Sequence, residues 1–301
     1  GANLKLYVNG VLQGSTTQTG NVGNFSSNYK FMIGKWAYNG RYFNGDIDEV
    51  SLWNCALTQT QIREMLCKKL SGTETGLKGL WKMDETSGTT VYDATSYGHN
   101  GTNHSATIST STAPVGSATI YTFGGSSLTL THAAGDSIKV GNFSATPSGI
   151  VLYRIDTLPS PSTPPASFSL IGKSRYYGVF VIGTGAETYT TTYYYRGYPG
   201  ISDESQLALA TRTSPYSSWS DMGATLNTTT HTLTKTGNTG NKEIIIGSLS
   251  PVNALPVELS AFKGEAEDGQ IQLYWITQSE KENDYFLLER SANGEQFETV
   301  D

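Results

Sequence analysis

Between residues 107 and 250 the chain is a succession of short period-two runs: "ATIYTF", "SSLTLTH", "DSIKVG", "GIVLYRI", "YYGVFVIG", "TYTTTYYY", "QLALATR", "HTLTKTG" and "KEIIIGSL", each stopped by Gly, Pro or Ser. Successive residues of a strand point to opposite faces, so each run has one side to bury and one to leave in water. Repeated at this spacing, such runs pack as an antiparallel sandwich. Composition agrees: charged residues are 15% of the chain, against about 25% in an average domain. Thr, Ser, Gly and Tyr fill the difference, which suits extended, turn-rich structure. "LPSPSTPPAS", 158–167, is too rich in Pro for a central strand and reads as a surface loop. In the tyrosine run, alternation places Tyr193 and Tyr195 on one face and Tyr194 on the other, so one ring is expected outside the core.

Residues 1–106 read as a separate β unit. "LKLYVNGVLQG" is a hairpin in which Leu4, Leu6 and Val8 share a face, and Asn9-Gly10 supplies the positive-φ turn pair. "YKFMIGKW" and "GDIDEVSLW" read as further strands. The period then changes from two to four. Thr58 is a good N-cap, Gln61 completes a capping box, and Leu57 with Ile62 forms a hydrophobic staple. Ile62, Met65, Leu66 and Leu70 mark a buried helical stripe, with Gly72 as the stop. "LKGLWKMDE" and "TTVYDAT" return to strand. The two cysteines, Cys55 and Cys67, flank this helix. Ten helical residues span about 15 Å, whereas a disulfide needs Cα atoms within about 7 Å, so no bridge is expected. Two cysteines without CxxC spacing make no zinc site.

"PVNALP", 251–256, reads as a linker, and the residues after it give three more strands. The fold class is therefore all-β: tandem antiparallel β-sandwiches with one short α-helix, divided as 1–106, 107–250 and 251–301. The net charge is −6 with no basic patch, which argues against nucleic acid as a partner. No apolar run approaches the ~20 residues of a membrane span, which argues against membrane insertion. The first residues lack the basic start and apolar core of a signal peptide.

The four motifs "LKLYVNGVLQG", "FMIG", "FNGDIDEVSLWNCALTQTQIREML" and "GLKGLWKMDETSGTTVYDATSYGHNGT", in that order, resemble the C-terminal half of a laminin-G-like, concanavalin-A-like jelly roll. That resemblance implies a further N-terminal half upstream. The tail "ALPVELSAFKGEAEDGQIQLYWITQSEKENDYFLLERSANGEQFETV" resembles the fibronectin-III-like module that precedes the secretion tail in Bacteroidetes proteins of the type IX export route. It looks cut inside that module. The middle resembles a β domain often found between the two in such proteins.

Several residue groups are candidate sites. Asp46, Asp48 and Glu49 lie within four residues, and Asp93 and Asn100 lie in "DATSYGHNG". Ca²⁺ takes six to eight oxygens from carboxylates, amides and carbonyls. The resemblance implies that the two segments are neighbours and that Ca²⁺ is a candidate cofactor, with Asp46, Asp48, Asp93 and Asn100 as ligands. The alternative is that Asp48 accepts from loop amides and Asp93 caps a turn. In "GKWAYNGRYFNG", Trp36, Tyr38 and Tyr42 offer flat faces beside Asn39 and Arg41, a set suited to stacking and hydrogen-bonding a pyranose. The alternative is that these rings pack over a sheet edge. The histidines His99, His104, His132 and His231 fall in no HExxH, and no GxSxG is present. Adjacent Asp84 and Glu85 would point to opposite strand faces, a poor arrangement for glycosidase carboxylates. Ser137 in "DSI" and Thr157 in "DTL" match the Asp-Ser/Thr-aliphatic pattern that Bacteroidetes O-glycosylate on exported proteins.

The expectation is a non-enzymatic adhesion or structural segment of a large exported bacterial surface protein, secreted or held at the outer-membrane exterior. Its expected partners are a cell-surface glycan or protein, or further copies of itself. The alternative is the carbohydrate-binding accessory region of a secreted glycoside hydrolase.

Overall fold

The computed structural model describes residues 2–18, 30–36, 40–109 and 113–253, and four strands after residue 258. The chain is all-β with one short α-helix among the described residues. In the first region, β1 (Ala2–Val8) and β2 (Val11–Gln18) form the expected hairpin. Asn9 and Gly10 at its tip have φ of 49° and 72°, the left-handed pair that matches the twist of the strands. Residues 30–36 are not the strand their pattern suggests. They contribute a single antiparallel bridge, Lys35 to Tyr42. β3 (Val50–Trp53) pairs with β4 (Leu77–Trp81), and β5 (Thr90–Val91) pairs with β6 (Gly101–Thr102). Asp46, Asp48 and Glu49 thus precede β3 rather than lie in it.

The helix α1 (Gln59–Met65) starts as its sequence dictates. The Thr58 hydroxyl accepts from the Gln61 amide, and the Gln61 side chain accepts from the Thr58 amide. Its end falls earlier than expected. Leu66 is already extended, Cys67 has φ of 57°, and Lys68 bridges to Gly116. Strand-like pairing outside the helix therefore wins over the helical stripe, which has no fully buried residue within α1. Gly72 serves a different turn: a Cβ there would lie 2.4 Å from the Ala94 carbonyl oxygen. Leu70, Leu77 and Leu80, with Trp53 and Met65 against them, make a small core. Cys55 and Cys67 are free thiols, and burial pushes that of Cys67 up to about 12.

The central region is a closed two-layer sandwich. It contains β7 (Ala118–Phe123), β8 (Leu128–Thr131), β9 (Ser137–Gly141), β10 (Gly149–Ile155), β11 (Leu170–Ile171) and β12 (Tyr176–Ile182). β13 (Thr188–Tyr194), β14 (Leu207–Arg212), β15 (Ser220–Asp221), β16 (Thr225–Asn227), β17 (Thr232–Thr239) and β18 (Lys242–Ser248) complete it. One sheet runs β15-β14-β18-β12-β10-β7 with β11 added on β18, and the other runs β16-β17-β13-β9-β8. All nine runs read from the sequence are strands. Between the sheets lie Ile138, Ile150, Leu152, Tyr177, Tyr193, Leu209, Leu233, Ile244 and their neighbours. The tyrosine alternation holds: Tyr193 and Tyr195 are each 1% exposed, and Tyr194 is half-buried.

A second apolar cluster, with Phe168, Ile171, Tyr176, Trp219 and Ile245, lies on the outer face of the larger sheet. The 158–167 loop is irregular, as its prolines require, and is pinned there. Trp219 Nε1 donates to the Pro161 carbonyl at 2.8 Å, and Arg212 donates to that of Ser160 at 2.7 Å.

The first region is docked on the sandwich through α1 and the hairpin tip. Gln59 and Arg63 each donate to the Gly10 carbonyl at 3.0 Å. The Arg63 guanidinium lies 3.7 Å from the centre of the Phe123 ring. A Cβ on Gly10 would meet Arg63, Phe123 and Leu66 at 2.9–3.1 Å, so glycine is required by close approach as well as by φ. Gly116 donates to the Cys67 carbonyl and accepts from the Lys69 amide. In the tail, β19 (Leu259–Glu267) pairs with β20 (Gln270–Thr277), and β21 (Glu289–Arg290) with β22 (Glu298–Thr299).

Candidate functional site

The aromatic loop of the first region is a tight hairpin. The Trp36 amide donates to the Arg41 carbonyl at 3.0 Å and the Phe43 amide to that of Gly34 at 2.8 Å. Positive φ at Gly34 and Gly40 turns the chain at either side. This geometry pushes the rings outward: Trp36 is 52% exposed, Tyr42 70% and Phe43 61%. The Arg41 guanidinium lies 5.2 Å from the Trp36 ring centre and the Lys35 ammonium 5.3 Å from that of Tyr42. Cations at these distances are attracted by the ring faces and fix the rings without burying them. Strand alternation therefore puts Trp36 and Arg41 on one face of this turn and Lys35 and Tyr42 on the other; Tyr38 and Asn39 lie outside the described residues. Nearby in sequence, Phe31 is also exposed and stacks on Trp81 at 5.6 Å.

The acidic group has a different fate. Asp46 is exposed. Asp48 accepts from the Glu49 amide at 2.8 Å with one oxygen and from the Ala113 amide at 2.9 Å with the other. Burial lifts its carboxyl above the ordinary value, and those two amides offset part of the rise. Asp93 is saturated. Oδ1 accepts from the amides of Leu80 and Thr95, and Oδ2 from the Thr95 hydroxyl and the His99 amide, at 2.9–3.0 Å. Burial alone would raise Asp93, but these donors outweigh it and hold the carboxyl below its usual value. Asn100 Oδ1 accepts from the Asp93 amide. The oxygens proposed for Ca²⁺ are thus committed to backbone donors, and a cation would have to displace them. Among the described residues no three His, Cys, Asp or Glu side chains converge to hold a metal. Asp46, Asp48, Asp93 and Asn100 do not fit a Ca²⁺ ion, and the loop-organising reading of Asp48 and Asp93 accounts for every bond they make. Glu49 carries the local strain: φ of 49° and a buried Oε2 with no hydrogen-bond partner among the described residues. Burial first, and the Asp48 charge second, raise its carboxyl.

The remaining candidates separate. Glu85 accepts from the Tyr92 amide at 2.7 Å, while Asp84 is exposed. His99 sits against Tyr97, with parallel rings 5.8 Å apart. Ser137 is 8% exposed in β9, where the fold leaves little room for a glycan. Thr157 is exposed.

Two buried ion pairs escaped sequence reading. Arg175 reaches Asp136 through Nε and Nη2, the shortest contact being 2.6 Å, and the same carboxylate accepts from the Tyr177 and Tyr193 hydroxyls at 2.9 Å. Arg212 Nε donates to Glu243 at 2.5 Å, and Tyr153 donates to the other oxygen at 3.1 Å. The available signal was a charge at the end of an otherwise uncharged strand run, as Arg212 in "QLALATR" and Glu243 beside Lys242 in "KEIIIGSL", since such residues are buried only when paired.

A protein-family model described as the concanavalin A-like lectin/glucanases superfamily matches residues 1–63, which include the β1–β2 hairpin, the aromatic hairpin and most of α1. No curated protein and no solved structure matches the chain.

Proposed function

We propose that this chain is a non-enzymatic adhesion segment of a larger exported bacterial surface protein, and that the 35–43 hairpin is its glycan contact. One observation carries the reading: Trp36 and Tyr42 are exposed, each with a cation over its ring, within the residues similar to a lectin-containing superfamily. The exposed Tyr42 ring suits the apolar face of a pyranose, and Arg41 beside Trp36 suits its hydroxyl groups as a donor. Export to the cell surface is supported by the likeness of the tail to modules of type IX-secreted proteins, and the exposed Thr157 suits O-glycosylation along that route. The superfamily description also covers glucanases, which favours a second reading: a carbohydrate-binding accessory to a hydrolase. In both readings this segment binds rather than cleaves. A glycan array with the 301-residue chain tests the proposal. Replacing Trp36 or Tyr42 by Ala is expected to weaken the glycan signal by about 1–3 kcal/mol, on the scale of base–aromatic stacking, with the thermal midpoint unchanged. No glycan signal, together with a lowered midpoint in these variants, would make the rings structural and leave protein contacts as the basis of adhesion.

A further inference from the structure

The outer face of the larger central sheet holds a cleft of about 230 Å³, walled by Tyr153, Phe180 and Tyr216, with Ser214 and Asn241 at its sides and Glu243 on its lining. It is smaller than the roughly 300–1,000 Å³ of a drug-sized ligand pocket, so it admits a single ring. Strand alternation explains its chemistry. Tyr153 in β10, Phe180 in β12 and Glu243 in β18 all point outward, opposite to the inward-facing Leu152, Val179 and Ile244. Glu243 is 2% exposed. An ionised carboxylate offers about four acceptor positions, and the Arg212 and Tyr153 donors fill two. Arg212 neutralises the charge and leaves acceptor capacity on the cleft lining. Asn241 accepts from the Val181 amide through Oδ1, which directs its side-chain amide nitrogen elsewhere as a donor. Tyr216 is 58% exposed at the cleft, and Phe180 is partly exposed.

We infer that this cleft binds one neutral pyranose unit. The Arg212–Glu243 pair leaves the cleft floor without net charge, and the Lys242 side chain on the lining is a further donor for a hydroxyl of the sugar. Spare carboxylate acceptors suit its hydroxyl donors, the Asn241 amide suits a hydroxyl acceptor, and the aromatic walls suit its C–H faces. The site is independent of the 35–43 hairpin, because it lies on the central sandwich and shares no residue with it.

The test is ligand-observed NMR on the full chain with the methyl glycosides of glucose, galactose, mannose and N-acetylglucosamine. Three forms are compared: the unmodified chain, Tyr216→Ala, and the double variant Trp36→Ala/Tyr42→Ala. At least one glycoside is expected to saturate the chain. Tyr216→Ala should weaken it about tenfold or more, the loss of one stacked ring, and the hairpin double variant should bind it unchanged. Asn241→Ala should weaken the same glycoside. Thermal midpoints of all variants, which alter exposed side chains, confirm that each is folded. No saturation by any of the four, or binding that survives Tyr216→Ala and disappears in the hairpin variant, overturns the cleft. The latter result would leave the hairpin proposal standing, so the two readings fail separately.

Discussion

The first region and the central sandwich are built from similar alternating strands but put their apolar residues in opposite places. Tyr177, Tyr189, Tyr193 and Tyr195 of the sandwich are at most 1% exposed, whereas Leu4, Leu6, Phe31, Tyr42 and Phe43 of the first region are each more than 60% exposed. The difference is a second layer. The sandwich has two facing sheets; the described residues of the first region form three separate two-stranded sheets, each too small to bury a face alone. On the proposed reading, the exposed rings of the first region make its glycan contact, and the sandwich carries that region.

The largest expected effect tests the scaffold half of that comparison. Asp136 has a fully buried side chain and four close donors. Asp136→Ala leaves Arg175 buried without its partner, and breaking such a pair costs about 3–5 kcal/mol. In the first region Asp48→Ala removes two amide bonds from a half-buried carboxylate and is expected to cost about 1–3 kcal/mol. Urea unfolding of both variants measures the contrast. Equal losses would mean that the first region is as tightly built as the sandwich.

The junction comes next. Phe123 is partly exposed, so Phe123→Ala should cost about 2 kcal/mol, less than the 3–5 of a fully buried ring. Scanning calorimetry should show one transition for the unmodified chain resolving into two, because the Arg63–Phe123 contact joins the regions. A single transition in the variant would show that the pairing of Lys68 with Gly116 couples them without the ring. Thr58→Ala, which loses the cap, should cost about 1 kcal/mol and, added to Phe123→Ala, lower only the first of the two transitions.

These interactions also mark what sequence could and could not supply. Every long strand of the sandwich was legible, because alternation between Gly and Pro breaks is a local signal. So were the Asn9-Gly10 turn and the Thr58 cap, which are set by two or three residues. The early end of α1 was not legible: Leu66 to Lys68 is drawn into a bridge with Gly116, nearly fifty residues on, and no local pattern encodes that partner. The exposure of the 35–43 rings was half legible. Their clustering showed in the sequence, but whether they pack or protrude depends on a facing layer. The cleft was invisible, since Tyr153, Phe180, Tyr216 and Glu243 meet only through strand order.

A smaller effect concerns pH. Glu49 has a folded value above its ordinary 4.5, so the folded state binds a proton more readily than the unfolded one. Its contribution is fully present below pH 4.5 and is lost as pH rises through the folded value. Asp93 has the opposite sign: its contribution is present above 3.8 and is withdrawn as pH falls through its lowered folded value. In the Phe123→Ala background the first transition should therefore rise on mild acidification from neutral pH and fall below about pH 3.8. Glu49→Gln should raise the midpoint at pH 7 and reduce the rise, leaving the part due to the raised Asp48, and Asp93→Asn should flatten the acid fall. A Glu49→Gln variant less stable at neutral pH would show that the strained carboxylate has a partner and belongs to a built site.

The smallest expected effect is zero, and it bears on the recognition half of the comparison. If the first region held Ca²⁺ through Asp46, Asp48, Asp93 and Asn100, saturation at 100 times Kd would stabilise it by about 2.7 kcal/mol. The bonds already made argue otherwise. Asp93 spends both oxygens on four donors, Asp48 spends one oxygen on each of two amides, and Asp46 stands exposed. A cation would have to strip amides that then have no other acceptor, and a buried amide left unpaired costs about 1–3 kcal/mol. Several such losses would offset the whole gain at that saturation. The first calorimetric transition of Phe123→Ala should accordingly be the same in excess Ca²⁺ and in chelator. A shift that disappears in both Asp48→Ala and Asp93→Ala would return the ion to this loop pair and make recognition by the first region metal-dependent.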